Sequence, residues 1–257
     1  MIKHYLKVAF RNLMKYKMQS FVSIIGLAVG FTCFALSALW IRYEMTYDNF
    51  HKGSDRIYMV RAHYANEPGT SKFTPYPLME YLQDKMPEIE AATAFTPHHV
   101  KFRLEETEQE VGMIDADSVF MNFFDIQLLK GTVNFLKSDG QEVAITKEFA
   151  KRLFSKEEDA LGKEVEVGRR VCKIGAIVSG WSNHSNIPYN ILAPARHSPR
   201  WGSSNEQLFI RVRERTDIDA FRTKMSTIRI NDIEKESGLS DLLIARMSAL
   251  RYSDCVD

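Results

Sequence analysis

The sequence predicts an α+β fold: one N-terminal transmembrane helix, then a large domain whose sheet-and-helix layer is interrupted by a β-rich insert. Three observations predict it. An uncharged apolar run, Phe21–Ile41, follows a strictly basic N-terminus. The segment after it reads β-α-β, short strands dominate next, and the last strands close with a β-α pair. No catalytic or metal-site motif breaks this pattern.

The apolar run comes first. At about 1.5 Å per residue its helix reaches roughly 30 Å, the hydrocarbon thickness of a bilayer. Residues 1–20 carry Lys3, Lys7, Arg11, Lys15 and Lys17 and no acidic residue, whereas Arg42, Glu44 and Asp48 follow the run. An excess of Lys and Arg marks the cytoplasmic side, so the expectation is an N-terminus inside and everything beyond Ile41 exported. Trp40, Tyr43 and Tyr47 fall where an outer aromatic belt would lie. A cleaved signal peptide competes, with Ala35 and Ser37 as candidate cleavage-site residues. Signal cores span only about 7–15 residues behind a short basic segment, so the longer run favours an uncleaved anchor.

Residues 2–18 predict a basic amphipathic helix, with Ile2, Tyr5, Leu6, Ala9, Phe10, Leu13 and Met14 at helical spacing. Such an arm suits the inner membrane surface or a cytoplasmic partner, or supplies topogenic charge alone. Inside the run Gly26 and Gly30 form a G-x-x-x-G pair, a candidate for close helix packing, with Ala28 and Thr32 as a second small pair.

Beyond the membrane, the alternation in Arg56–Tyr64 predicts a strand, and Thr74–Met86 a helix with Pro75 and Pro77 near its start and Pro87 past its end. Ile89–Phe95 predicts a second strand. Residues 99–104 and 109–116 read as two strands joined by the acidic turn Glu105–Glu108. Asp117–Phe124 predicts a short aromatic helix, Ile126–Leu129 a strand and Gly131–Gly140 a loop. Glu142–Thr146 is a predicted strand and Lys147–Phe154 a helix. Gly162–Val167 and Val171–Val178 are strands around a Gly168-Arg169-Arg170 turn. A polar loop, Trp181–Ser185, leads to the strand Ile187–Leu192, and the loop Ser198–Gln207 to the strand Leu208–Val212. Asp217 caps a closing helix expected to run to about Ile230.

Composition narrows the function. Setting aside the five basic residues of the N-terminal arm, the 34 Lys and Arg fall to 29 against 33 Asp and Glu, a net charge of −4 for residues 21–257. That excludes a basic field for nucleic acid. Cys33, Cys172 and Cys255 make no disulfide framework, a Cys172–Cys255 bridge being the one conceivable pair. Adjacent residues of a strand face opposite ways, so His98 and His99 do not share a metal and read as surface histidines. His184 lies in a polar loop beside Ser182 and Ser185; a loop-ordering role and a nucleophile pair are the alternatives. Glu105, Glu106, Glu108 and Glu110 read as a solvated hairpin tip. Phe120, Phe123 and Phe124 with Leu128 and Leu129 read as the insert's own core or a pocket for lipid or a partner. No Walker A, C-x-x-C, H-E-x-x-H or EF-hand pattern is present, so no cofactor, metal or ATP hydrolysis is expected in this chain.

Residues 7–61 (KVAFRNLMKYKMQSFVSIIGLAVGFTCFALSALWIRYEMTYDNFHKGSDRIYMVR) resemble the first segment of an ABC transporter permease of the MacB/FtsX-like kind, in the form typical of Bacteroidetes. DSVFMNFFDIQLLKGT, EVAITKEFAKRLFSKEEDALGKEVEV and KIGAIVSGWSNHSNIPYNILAP are similar to successive blocks of its MacB-like periplasmic core domain. The resemblance covers roughly residues 1–230. It implies a porter-like β-α-β layer at 50–96 and 171–230, an insert at 97–170, and a tail at 231–257 that stops short of the three further membrane helices such permeases carry. It also implies a single-pass protein of the bacterial inner membrane with its bulk in the periplasm. The implied partners are the lipid bilayer, a separate ABC ATPase subunit, a second permease copy as homodimer or heterodimer, and a periplasmic substrate or partner. The rival readings are a membrane-anchored periplasmic hydrolase using His184 and a neighbouring Ser, and a non-functional truncated fragment.

Overall fold

The computed structural model describes residues 11, 14–46, 48, 50–65, 68–181, 185–228, 238–247 and 250. They fall into two units, divided after Thr46. The first is dominated by α1 (Lys17–Met45), 29 residues or about 43 Å of helix, which contains the whole predicted span. Its apolar side chains are exposed almost throughout, the opposite of a soluble core helix. Thr32 returns its hydroxyl to the Ala28 carbonyl at 2.8 Å, so this polar group needs no outside partner.

The second unit starts from four strands in the order β12 (Leu239–Arg246), β1 (Ile57–Tyr64), β11 (Ser204–Val212) and β4 (Ile89–Leu104), each antiparallel to the next. Helix α2 (Pro77–Lys85) connects β1 to β4, and α5 (Ile218–Ser226) connects β11 to β12. Two such crossovers woven through one antiparallel sheet are the split β-α-β arrangement of ferredoxin-like domains. Both helices cover one face: Leu78 and Leu82 from α2, Met86 at its C-cap, and Phe221 and Met225 from α5 pack on Tyr58, Val60, Leu208, Ile210 and Leu242.

Everything between β4 and β11 is an excursion from that sheet. β4 pairs with β11 through Phe95 and, from Thr96 onward, with β5 (Thr107–Ala116). β5 pairs with β10 (Ile191–Pro194), β10 with β7 (Glu142–Thr146), β7 with β9 (Arg170–Val178), β9 with β8 (Glu164–Val167), and β8 returns to β4 at Phe102 and Arg103. The circuit is a closed, six-stranded ring. Its inward residues include Val100, Phe102, Val111, Ile145, Val165 and Ile174, a second core. Phe149 of α4 (Lys147–Leu153) meets Phe102 at 5.0 Å, edge to face, and covers the ring end where β7 terminates.

The third core lies where the outer wall of the ring meets the uncovered face of the four-stranded sheet. Ile114, Ala116, Ala144 and Leu192 from the ring and Ile57, Met59, Phe95 and Phe209 from the sheet share it with α3 (Ser118–Phe123). Asp117 caps α3, accepting from the Phe120 N–H at 2.7 Å. Short strands complete the fold: β2 (Thr70–Ser71) on β1, β3 (Thr74–Pro75) on β11, and β6 (Leu128–Gly131) on β9.

Several elements depart from the sequence expectation. The two strands predicted on either side of Pro97 are one 16-residue strand, because Pro97 lies where one edge of β4 carries no neighbour and its missing N–H costs no ladder bond. Thr74 and Pro75 belong to β3, so the helix starts only at Pro77. β6 is two residues later than predicted, since Ile126 is drawn into the third core. β10 begins at Ile191 rather than Ile187. The pairings place β9 and β10 in the ring, beyond the expected boundary at 170, and place β12 in what read as a tail. α5 ends at Ser226, and residues 229–230 of its expected end lie outside the described residues.

The chain from β10 back to β11 is pinned by His197. Its Nε2 faces Asp117 at 3.3 Å, its Nδ1 faces Glu206 at 3.2 Å, and its ring stacks on Tyr76 at 3.9 Å. Burial lowers the affinity of this imidazole for its proton, but the Asp117 and Glu206 hydrogen bonds outweigh burial and lift its pKa to about 9. The folded pKa exceeds the unfolded one, so this stabilisation is complete below about 6.5 and is lost as pH rises through about 9. Thermal unfolding between pH 7 and 10 should register that loss, and His197→Gln should abolish it while destabilising the protein at pH 7 by about 3 kcal/mol.

Candidate functional site

The polar cluster with the most concentrated bonding sits at the start of the second unit. One residue separates Thr46, the C-cap of α1, from Asp48. Asp48 is fully buried, with φ of 56°, a left-handed conformation that Asp and Asn tolerate better than other side chains. Its carboxylate accepts from the Ser185 hydroxyl at 2.6 Å, the Asn186 side-chain amide at 2.6 Å and the Asn186 backbone N–H at 3.2 Å. Asn186 also donates to the Met247 carbonyl at 3.3 Å, and Ser185 accepts from the Ile187 N–H at 3.1 Å. The carboxylate and the Asn186 amide together therefore join three distant stretches of chain: the start of the unit, the loop before β10 and the chain just after β12. Charge-assisted bonds in a dry setting are the strong kind.

Three residues on, His51 enters the third core. Its ring lies 5.0 Å from Phe124 and 4.8 Å from Trp181, and its Nε2 has no hydrogen-bond partner among the described residues. Burial first, and the nearby Arg211 guanidinium second, depress its pKa to about 4. It is neutral at physiological pH and behaves as an aromatic side chain. Arg211 packs its guanidinium 4.7 Å from the Phe123 ring, so a cation, an imidazole and an aromatic cluster share this one corner.

The residues singled out from sequence are placed as follows. Gly26 and Gly30 lie a turn apart on α1 with open space where a Cβ would point. Arg11, Lys15 and Lys17 are exposed, while Lys3 and Lys7 lie outside the described residues with most of the predicted 2–18 helix. His184, Ser182 and Cys255 lie outside them too. Ser185 is buried and its hydroxyl is committed to Asp48, which disfavours it as a nucleophile. Phe120, Phe123 and Phe124 are buried between sheet and ring rather than inside the insert alone, and Leu128 and Leu129 are exposed and outside the cluster. Glu108 closes the β4–β5 hairpin with Lys101 at 2.9 Å and Arg103 at 2.6 Å, an exposed ion-pair ladder. His98 is no plain surface residue: it is half-buried against Asp115 at 2.8 Å, whereas His99 is exposed. Among the described residues no group of three or more His, Cys, Asp or Glu could hold a metal.

Asp48 and His51 were not candidates from sequence. Asp48 reads there as an acidic flank of the membrane run, because its partners are 137 and 138 residues away. The one local hint is the polar composition of the loop at 181–186.

The sequence profile of the MacB-like periplasmic core domain family matches residues 20–228. Among solved structures, a domain of a putative permease protein from Porphyromonas gingivalis aligns with a TM-score of 0.60 at 19% identity, covering 76% of this chain and 91% of that one. The periplasmic region of MacB from Actinobacillus actinomycetemcomitans aligns at 0.53 and 12% identity, over 79% and 94% of the two chains. The extracellular domain of the noncanonic ABC-type transporter YknZ from Gram-positive bacteria aligns at 0.54 and 13%, over 74% and 99%. At these identities the likeness is one of fold. No curated protein matches the chain.

Two outcomes follow from the cluster. Asp48→Ala loses the carboxylate and adds left-handed strain, so chemical denaturation followed by tryptophan fluorescence should report a loss of about 3 kcal/mol; Asp48→Asn, which keeps shape and backbone tolerance, should lose less. The folded pKa of His51 lies below the unfolded one, so stability is lost as pH falls from about 6.5 towards about 4. His51→Leu should flatten that acid limb of the stability profile.

Proposed function

Since the chain belongs to the MacB-like periplasmic core domain family, we propose that it is the membrane-anchored periplasmic part of a MacB/FtsX-like ABC transporter permease, which couples a separate ATPase to an exported substrate or partner. The observation that carries the reading is the Asp48 cluster, the first buried polar group after the membrane-length helix α1 among the described residues. Asp48 lies two positions after Thr46, the C-cap of α1, in the chain, so in this reading it is where a displacement of α1 enters the domain. There it meets bonds to the loop before β10 and, through Asn186, to the chain just after β12. A helix is stiff along its axis, and bonds at 2.6 Å in a buried setting leave little slack to absorb such a movement.

In this reading the basic arm, Lys3, Lys7, Arg11, Lys15 and Lys17, lies on the cytoplasmic side and meets anionic lipid or the ATPase. Gly26 and Gly30 leave room for another helix to approach, either from a second copy or from the remainder of a permease bundle. The domain after Ile41 faces the periplasm, where the ring and the ferredoxin-like sheet offer surfaces to a substrate or an exported partner. Catalysis is assigned to the ATPase subunit.

Two experiments test this. Protease added to spheroplasts should remove the region after Ile41 and spare residues 1–20; protection of the large domain would refute the orientation. An ABC ATPase subunit should co-purify with the full chain and be lost on deletion of residues 1–18, and unchanged association would count against the cytoplasmic-arm role.

A further inference from the structure

The six-stranded ring is closed at one end by Phe149 and open at the other. The open end is a cavity of about 380 Å³ at the N-terminal end of β7. Its floor is apolar, made by Met113, Val143, Val167, Cys172 and Ala193. All five point inward from their strands, continuing the alternation that fills the ring core. The wall carries the His98–Asp115 pair, and the rim carries Arg169, Arg170 and Arg196.

The charges at this mouth do not cancel. Hydrogen bonding to Asp115 makes His98 hold its proton to higher pH than an ordinary imidazole, despite its burial, and the imidazole Nε2 engages one Asp115 oxygen at 2.8 Å. Arg196 is paired with Asp139. The side chains of Arg169 and Arg170, on the β8–β9 hairpin, make no hydrogen bond or ion pair with any described residue. Two uncommitted guanidiniums thus stand over an apolar floor, in a chain that is otherwise net acidic beyond its N-terminal arm. Mouths of small β-barrels with apolar floors and a few convergent polar groups are where small ligands bind. Guanidinium is the side chain best shaped to take a carboxylate by two parallel hydrogen bonds.

We infer that the ring mouth is a binding site for a small amphiphilic carboxylate, its anionic head on Arg169 and Arg170 and its hydrocarbon body on Met113, Val143, Val167 and Ala193. The inference concerns this pocket alone and stands independently of coupling to an ATPase.

The test is calorimetric titration of the full chain in lipid nanodiscs with 3-phenylpropanoate, against empty nanodiscs. Expected is saturable binding, weakened at least tenfold in the Arg169→Ala/Arg170→Ala double variant; both residues are exposed, Arg169 in the turn and Arg170 at the first position of β9, so that variant should fold. Ala193→Leu, which places bulk in the cavity, should abolish binding with the arginines intact. Acetate and 3-phenylpropylamine should give no binding, the first for want of an apolar body and the second for its charge. The inference is overturned if 3-phenylpropanoate fails to bind, if the arginine variant binds it equally well, or if acetate or inorganic phosphate binds as tightly.

Discussion

A single strand, β4, holds the large domain together, because it is a member of both sheets. Its first half is an edge of the ferredoxin-like layer and its second half is a stave of the ring, with the change of partner between Phe95 and Thr96. Backbone hydrogen bonds on a strand edge must be satisfied somewhere. Here one edge of β4 is taken by β11 up to Phe95 and the other by β5 from Thr96 onward. The ring is therefore a continuation of the sheet rather than a bead on a flexible linker. The aromatic core beside this handover, Phe95 with Phe120 at 4.8 Å and Phe209 at 5.4 Å, fixes the angle at which one layer leaves the other.

That constraint explains where the polar groups lie. Buried or half-buried charges tie distant stretches of the two layers to each other. His197 lies between Asp117 and Glu206 on the way back from β10 to β11, and Asp48 gathers Ser185 and Asn186 before β10. Arg211 reaches from β11 to the Phe123 carbonyl of α3. Buried ion pairs add modestly to stability over an apolar alternative, but they are costly to break singly, so they fix one arrangement of layers.

Much of this was legible from residue order. β7 lies where its alternation puts it, and β1, β9 and α4 differ by a residue at an end, because apolar period and capping residues such as Thr146 are local properties. Asp117 and Asp217 cap the helices that follow them for the same reason. The strands expected at 89–95 and 99–104 are one strand, because Pro97 lies at a free edge of β4 where its missing N–H costs no ladder bond. β12 was missed because its pattern, buried only at Leu239 and Leu242, is that of an edge strand facing solvent for much of its length. His98 was read as a surface histidine because the residue that holds it, Asp115, is assigned by hairpin register and not by proximity in sequence.

The amino-acid order alone determined the membrane-length helix, its charge asymmetry, the alternation of strands and helices, and the family resemblance, since each is written in spacing along the chain. Only the tertiary structure decided that six strands close into a ring, that β12 completes the four-stranded sheet, that Asp48 and His51 are buried, and that His197 is half-buried between two carboxylates. Those outcomes depend on which strand edges meet, and edge pairing between residues a hundred or more positions apart leaves no periodic trace in the chain.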